Sequence, residues 1–226
     1  EWEKAHYICK KLDDANLLAE MIERSSTPMF QRAIVTLETW LNELPPSILR
    51  NRPGLLSIRG NIICTKGDVH EGLDLLNKAE HIYREEKNAS GLNLALVRRA
   101  TAYRYLGDYT ASLRDAEEVI ASTETSDEMQ LLYADALRLK GLVLYRLGKV
   151  RQSIPFLERS LELFQRSEKN SVPILLMDTG MAYRATGNFE DARNSYEKAL
   201  QIWRQSGNLP WQASLLNNMG VMYHVQ

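Results

Sequence analysis

Three arginines and two methionines at matched spacing are the residues best suited to hold a ligand. Arg104, Arg138 and Arg184 carry planar cations that grip carboxylate or phosphate groups with two hydrogen bonds. Met177 and Met181, with Tyr145, offer apolar surface that adapts to its contact. Asn61, Thr101 and Asn217 stand at equivalent places and add amide and hydroxyl groups. No comparable set points to catalysis. His6, His70, His81 and His224 are scattered and are not read as a metal site. Neither a nucleophile elbow, G-x-S-x-G, nor a dinucleotide fingerprint, G-x-G-x-x-G, occurs. The pairs Glu85-Glu86 and Glu117-Glu118 sit among other charges and read as solvated helix faces. The expectation is a non-enzymatic binding protein with no cofactor and no metal.

The elements that position these residues recur along the chain. A small residue returns at Gly60, Ala100, Gly141, Gly180 and Gly220, in steps of 40, 41, 39 and 40. Four before each stands Leu56, Leu96, Leu137, Leu176 or Leu216, and three after stands Ile63, Tyr103, Leu144, Tyr183 or Tyr223. That spacing is one face of a helix. A turn glycine follows at Gly67, Gly107, Gly148 and Gly187. Counting the leucine as position 4, the candidate ligand residues fall at positions 5, 9 and 12. This second stripe lies about 100° around each helix. In stacked helix pairs it lines a concave wall. Packing against the next unit, with the arginines paired to nearby acids, is the alternative for each residue.

The clearest unit is Pro173–Arg204. Its first helix carries Leu176, Gly180 and Tyr183, and Gly187-Asn188 ends it. Its second carries Ala192, Tyr196 and Ala199, so the two helices are expected to cross closely around Tyr196. These offsets resemble the tetratricopeptide repeat. That family's basic period is about 34 residues, and the additional residues here fall in the second helix and in polar exits, EEKNASG, STETSDE, RSEKNS and QSGN. The reading is an all-α, right-handed superhelical solenoid of tetratricopeptide repeats about 40 residues long. Residues 52–226 form the array, four helix pairs and the first helix of a fifth; residues 1–51 are N-terminal helices joining an upstream module. Trp203 and Trp211 are expected to seal a seam between repeats, exposure of either marking a partner surface. Pro155 is expected in the first turn of its helix.

Before the array, Asp13 or Asp14 can cap a helix bearing Ala15, Leu18, Ala19 and Ile22. Ser25-Ser26-Thr27-Pro28 reads as a break, followed by a helix burying Ala33, Leu37, Trp40, Leu41 and Leu44. The run from Trp40 to Pro53 is W-L-x-x-L-P-x-x-x-L-x-x-R-P, on Trp40, Leu41, Leu44, Pro45, Leu49, Arg52 and Pro53. It resembles the entry into the tetratricopeptide sensor region of MalT-like, large ATP-binding LuxR-type transcriptional activators. The resemblance implies an upstream ATP-binding switch and a downstream helix-turn-helix DNA-binding domain. It implies a sensor region that receives an inducer or regulatory protein in its groove. No P-loop occurs in this chain. The runner-up is a peptide-binding or scaffolding solenoid unrelated to transcription.

Bulk properties fit a binding solenoid. Apolar residues make up 44% and charged ones 25%, with a net charge of −1, so no basic field draws in nucleic acid. No apolar run is long enough to span a membrane. Cys9 and Cys64 stand alone in separate helical patterns, and a reduced, cytoplasmic setting is expected. The chain opens at Glu1 inside a helical pattern and is expected to be a segment of a longer protein. Expected partners are a protein, peptide or small-molecule inducer, with self-association through the apolar face of the last helix.

Overall fold

The computed structural model describes residues 1–30, 33–123, 126, 129–167 and 170–225. Of the polar exits, residues 124, 125, 127, 128, 168 and 169 lie outside the described residues. The described residues form helices and no strands. In chain order these are α1 (Trp2–Lys11), α2 (Ala15–Phe30), α3 (Ile34–Asn42), α4 (Pro46–Asn51), α5 (Pro53–Lys66), α6 (Val69–Glu85) and α7 (Ala89–Leu106). Then follow α8 (Tyr109–Thr123), α9 (Gln130–Arg146), α10 (Val150–Ser167), α11 (Val172–Ala185), α12 (Phe189–Gln205) and α13 (Leu209–Val225). They divide into two compact units, Glu1–Asp108 and Tyr109–Gln226.

Local sequence explains the turns inside the helix pairs. Gly67 and Gly187 adopt φ of 108° and 81°, left-handed values that let a helix end and the chain reverse without a Cβ penalty. The next residue caps the following helix: Asp68 Oδ1 accepts from Glu71 N–H at 3.1 Å and Asn188 Oδ1 from Asp191 N–H at 3.4 Å.

In the first unit, α2, α3 and α5 share one core. Leu18, Ile22, Leu37, Trp40, Leu41, Leu49, Leu55 and Ile58 are buried together, each of the large aliphatic ones contributing about 2 kcal/mol. The Trp40–Pro53 run is the joint of this core. Pro46 and Pro53 open α4 and α5, and Arg52 Nη1 donates to Glu23 Oε2 of α2 at 3.0 Å. Asp14 caps α2, accepting from Asn16 and Leu17 N–H at 2.9 and 3.0 Å.

Two expectations about helix limits fail. Helix α2 runs through Ser25–Pro28 to Phe30. The Ser25 and Ser26 hydroxyls donate back to the Ile22 and Glu23 carbonyls at 3.1 and 2.8 Å, so buried serines serve the helix rather than ending it. Helix α10 begins at Val150, which puts Pro155 in its interior. The Lys149 carbonyl accepts from Ser153 N–H at 3.1 Å, so the first turn closes ahead of the proline. Pro155 is exposed, and the Arg151 carbonyl loses its helical donor where water can replace it.

In the second unit, α9 packs on α10 and α11 on α12. Their common core holds Leu137, Leu163, Phe164, Leu175, Leu176, Tyr196, Leu200 and Trp203. Gly180 sets the crossing of α11 and α12. A Cβ there would lie 2.6 Å from Tyr196 Cε1, and Tyr196 itself is fully buried. The equivalent Gly60 and Gly141 face α6 and α10 as closely, at 2.7 Å from the Gly72 carbonyl oxygen and 2.7 Å from Leu157.

Candidate functional site

The first helices of the units place the position 5, 9 and 12 stripe. In the first unit, Asn61 and Thr101 are half-buried. The Asn61 carbonyl accepts the Thr65 hydroxyl at 2.8 Å, and the Thr101 hydroxyl donates to the Val97 carbonyl at 3.0 Å, local bonds that leave the Asn61 amide side chain uninvolved. Arg104 lies with its guanidinium 4.6 Å from the Tyr105 ring centroid, and its Nε is buried without a hydrogen-bond partner.

In the second unit the stripe gathers on α9 and α11. Arg138 Nε donates to Asp178 Oδ2 at 2.7 Å. Met177 packs in the core at 7% exposure, and Met181 is half-buried against the same core. Arg184 is half-buried beside Tyr196. Tyr145 is half-buried on α9, and Asn217 is exposed on α13. Arg138 and Met177 thus follow the packing alternative, because Asp178 stands one position on from Met177 and reaches back to α9. Arg184, Tyr145 and Met181 remain at the half-buried surface.

The Tyr196 hydroxyl lies at the centre of this cluster, although sequence reading assigned Tyr196 to packing alone. Its ring is held over Gly180, and its oxygen is buried beside the Arg184 side chain, which can donate to it. Burial pushes the Tyr196 pKa up to about 12, opposed by Arg184 and assisted by Tyr145 and Asp178. The hydroxyl is therefore neutral and able to donate at physiological pH.

Three other polar arrangements also escaped sequence reading. On the other side of α11, a cleft of about 240 Å³ is lined by Glu158, Tyr183, Asp191, Ser195 and Lys198. There Tyr183 donates to Glu158, and burial with that carboxylate raises the phenol pKa. In the first unit, Arg98 is buried with its guanidinium on the Ser57 and Ser26 hydroxyls, at 2.9 and 3.3 Å. Burial lowers its pKa to about 10. His6 stands three residues before Cys9, a spacing suited to a helix-borne metal pair. Its Nε2 instead meets Glu43 Oε2 at 3.0 Å, and its ring stacks on Trp40 at 4.6 Å. Among the described residues no group of three metal-ligating side chains forms, and no helix is long and apolar enough to cross a membrane.

Trp203 and Trp211 stack at 5.4 Å. Trp203 is 4% exposed and Trp211 37%, so one ring seals core while the other shows a face to solvent. On α13, Leu216 and Tyr223 are each 49% exposed, and Gly220 has nothing within 4 Å of its Cβ position.

Helix pairs that approach closely at a small residue of the first helix, with polar side chains along those first helices, define a helical-repeat protein. The chain belongs to the tetratricopeptide repeat family, whose sequence profiles match residues 132–205 and 171–226, and 95–126. Comparison with curated protein sequences finds no match. Among solved structures, the chain is similar to apo RapI, with TM-score 0.69 and 16% identity over 90% of this chain and 77% of that one. It is similar to BtubC from P. vanneervenii, with TM-score 0.63 and 16% identity over 92% and 88%. A Rap protein complexed with Competence and Sporulation Factor gives TM-score 0.69 and 11% identity over 91% of this chain and 64% of that one. At these identities the likeness is one of fold.

Proposed function

We propose that the chain is the protein- or peptide-binding sensor region of a signal-transducing transcriptional regulator of the MalT-like, LuxR type, without catalytic activity of its own. The observation that carries the binding part is the half-buried surface of α9 and α11, where Arg184, Tyr145 and Met181 stand together. A similar fold is complexed with Competence and Sporulation Factor in a Rap protein, which supports a protein or peptide partner here. The regulatory part is supported by the Trp40–Pro53 run. Its Trp40, Leu41, Leu44 and Leu49 are all buried, and Arg52 ties α5 back to α2, the joint that the family resemblance implies between switch and repeats. Binding would act by favouring one of two states of the intact protein, with a coupling of about 1–3 kcal/mol. The test is genome-wide occupancy of the tagged intact protein in cells, together with transcription of the occupied genes. Discrete occupied sites, with transcription altered by Arg184→Gln, are expected. A protein that occupies no DNA sites refutes the transcriptional part and leaves a binding solenoid.

A further inference from the structure

The cleft between α10 and α12, floored by α11, gathers polar groups that the second unit leaves unmet. Asp191, Ser195 and Lys198 stand at i, i+4 and i+7 on one face of α12, with Glu158 and Leu161 of α10 across from them and Leu176 of α11 below. Ser195 is 9% exposed. Among the described residues its hydroxyl meets no hydrogen-bond partner, and its oxygen reaches the open cleft. Thr179, the neighbouring hydroxyl of the floor, is already satisfied by the Leu175 carbonyl at 2.8 Å. Ser195 is thus the polar group of the floor with bonding capacity to spare.

The charges around Ser195 are separated by sign. At one end Glu158 accepts from the Tyr183 hydroxyl, and the Asp191 carboxylate acts on the same phenol. Neither carboxylate pairs with a cation among the described residues. A carboxylate offers about four acceptor sites, so Glu158 can keep Tyr183 and still receive N–H groups from a ligand. At the other end stands Lys198, two turns and about 10 Å along α12 from Asp191, also without an ion pair among the described residues. Glu162, between the two ends, has its charge met by Arg159 and Arg166.

We propose that this cleft binds arginine by both of its charges, the guanidinium between Glu158 and Asp191 and the α-carboxylate at Lys198. The Ser195 hydroxyl, midway between the two ends, accepts from the α-nitrogen, and the aliphatic stem lies along Leu161 and Leu176. A guanidinium suits the acidic end because its five donors spread in a planar fork that can address two carboxylates at once. Two sources present this chemistry, the free amino acid and the C-terminal residue of a peptide. A neutral amino acid lacks the cation, and an arginine inside a chain lacks the carboxylate, so both bind more weakly. The site is separate from the α9 and α11 wall, and binding at either stands without the other.

The test titrates the chain with L-arginine, L-citrulline, agmatine and N-acetyl-Gly-Gly-Arg, followed by NMR of the backbone amides. Citrulline keeps the shape of arginine without its side-chain charge, and agmatine keeps the cation without the carboxylate. Saturable shifts centred on Asp191, Ser195 and Lys198 are expected for arginine or for the tripeptide, with citrulline and agmatine each about tenfold weaker. Tighter binding by the tripeptide than by arginine assigns the same contacts to a chain terminus; the reverse assigns them to the free amino acid. Glu158→Gln, whose amide oxygen still accepts from Tyr183, should weaken arginine and agmatine alike by about tenfold. Lys198→Met should weaken arginine and leave agmatine unchanged, a split that a merely structural role for Lys198 would not produce. Circular dichroism checks each variant. Citrulline or agmatine binding as tightly as arginine and the tripeptide overturns the proposal, as do affinities that survive both substitutions. Binding of neither arginine nor the tripeptide overturns it too, and leaves the α9 and α11 wall untouched.

Discussion

Gly180 and Gly220 occupy the same position of successive units, yet the same substitution is expected to move stability in opposite directions. At Gly180 a new Cβ would lie 2.6 and 2.8 Å from two atoms of the Tyr196 ring. That ring is fully buried, with Ala192, Ala199 and Leu200 in the same core, so it cannot yield by swinging a flexible end into solvent. Overpacking of this kind costs about 1–3 kcal/mol. Replacing a helical glycine by alanine returns about 1 kcal/mol through the backbone. The net expectation for Gly180→Ala is a loss of up to about 2 kcal/mol, a fall in melting temperature of up to about 8 °C for a chain of this size. At Gly220 nothing lies within 4 Å, so only the backbone gain of up to about 1 kcal/mol applies. Differential scanning calorimetry compares the two directly, since both glycines lie in the second unit. Trimming the ring with Tyr196→Leu should relieve most of the Gly180→Ala penalty, a coupling that a double-mutant cycle reads. Equal shifts of the same sign at the two glycines would refute the crossing described here.

Other consequences concern ion pairs. Arg138→Ala strands the buried Asp178 carboxylate and should cost about 3 kcal/mol in urea unfolding, the low end for a buried pair because Arg138 keeps a quarter of its surface exposed; an unchanged midpoint would mean the pair carries nothing. Glu43 is held below the ordinary carboxylate range: its partial burial pushes the pKa up, but hydrogen bonds from Lys10 and His6 outweigh that. Its stabilising contribution is therefore complete above the ordinary value of 4.5 and is lost as pH falls through the lower folded value. Glu43→Gln should flatten acid unfolding of the first unit, and an unaltered acid profile would contradict the assignment. Arg98 is buried on two serine hydroxyls with no carboxylate among its contacts, so Arg98→Met should fall within about 1 kcal/mol of the parent or above it; a larger loss by chemical denaturation would mean the cation supports the fold.

The repeat was legible because its signal is geometric. Leu176, Gly180 and Tyr183 stand at helical spacing, and the close approach at Gly180 to Tyr196 follows from a small residue opposite a ring. Helix limits were less legible where one residue type serves two purposes. Ser25 and Ser26 have turn-forming side chains, and only their burial decides that both donate to carbonyls within α2 and that Ser26 accepts from Arg98. Pro155 similarly ends a helix in most contexts, and its exposure lets α10 pass through it. The site was half legible. The stripe pointed to Arg184 and Tyr145, but partnership is a property of pairs. Asp178 lies 40 residues from Arg138, one unit on, and nothing in either residue alone announces the bond. Tyr196 read as packing because its ring does pack; that its buried hydroxyl meets Arg184 appears only when the surroundings of its oxygen are known.

The central claim is that partners dock on the α9 and α11 wall of the second unit. Hydrogen–deuterium exchange of the chain, with and without a decapeptide selected for binding to it from a random peptide library, tests it most directly. The account predicts slowed exchange concentrated in Gln130–Arg146 and Val172–Ala185, lost in Arg184→Gln. Protection confined to α10 and α12, around the cleft of Glu158, Asp191 and Lys198, would contradict it and move the binding surface to the opposite side of α11.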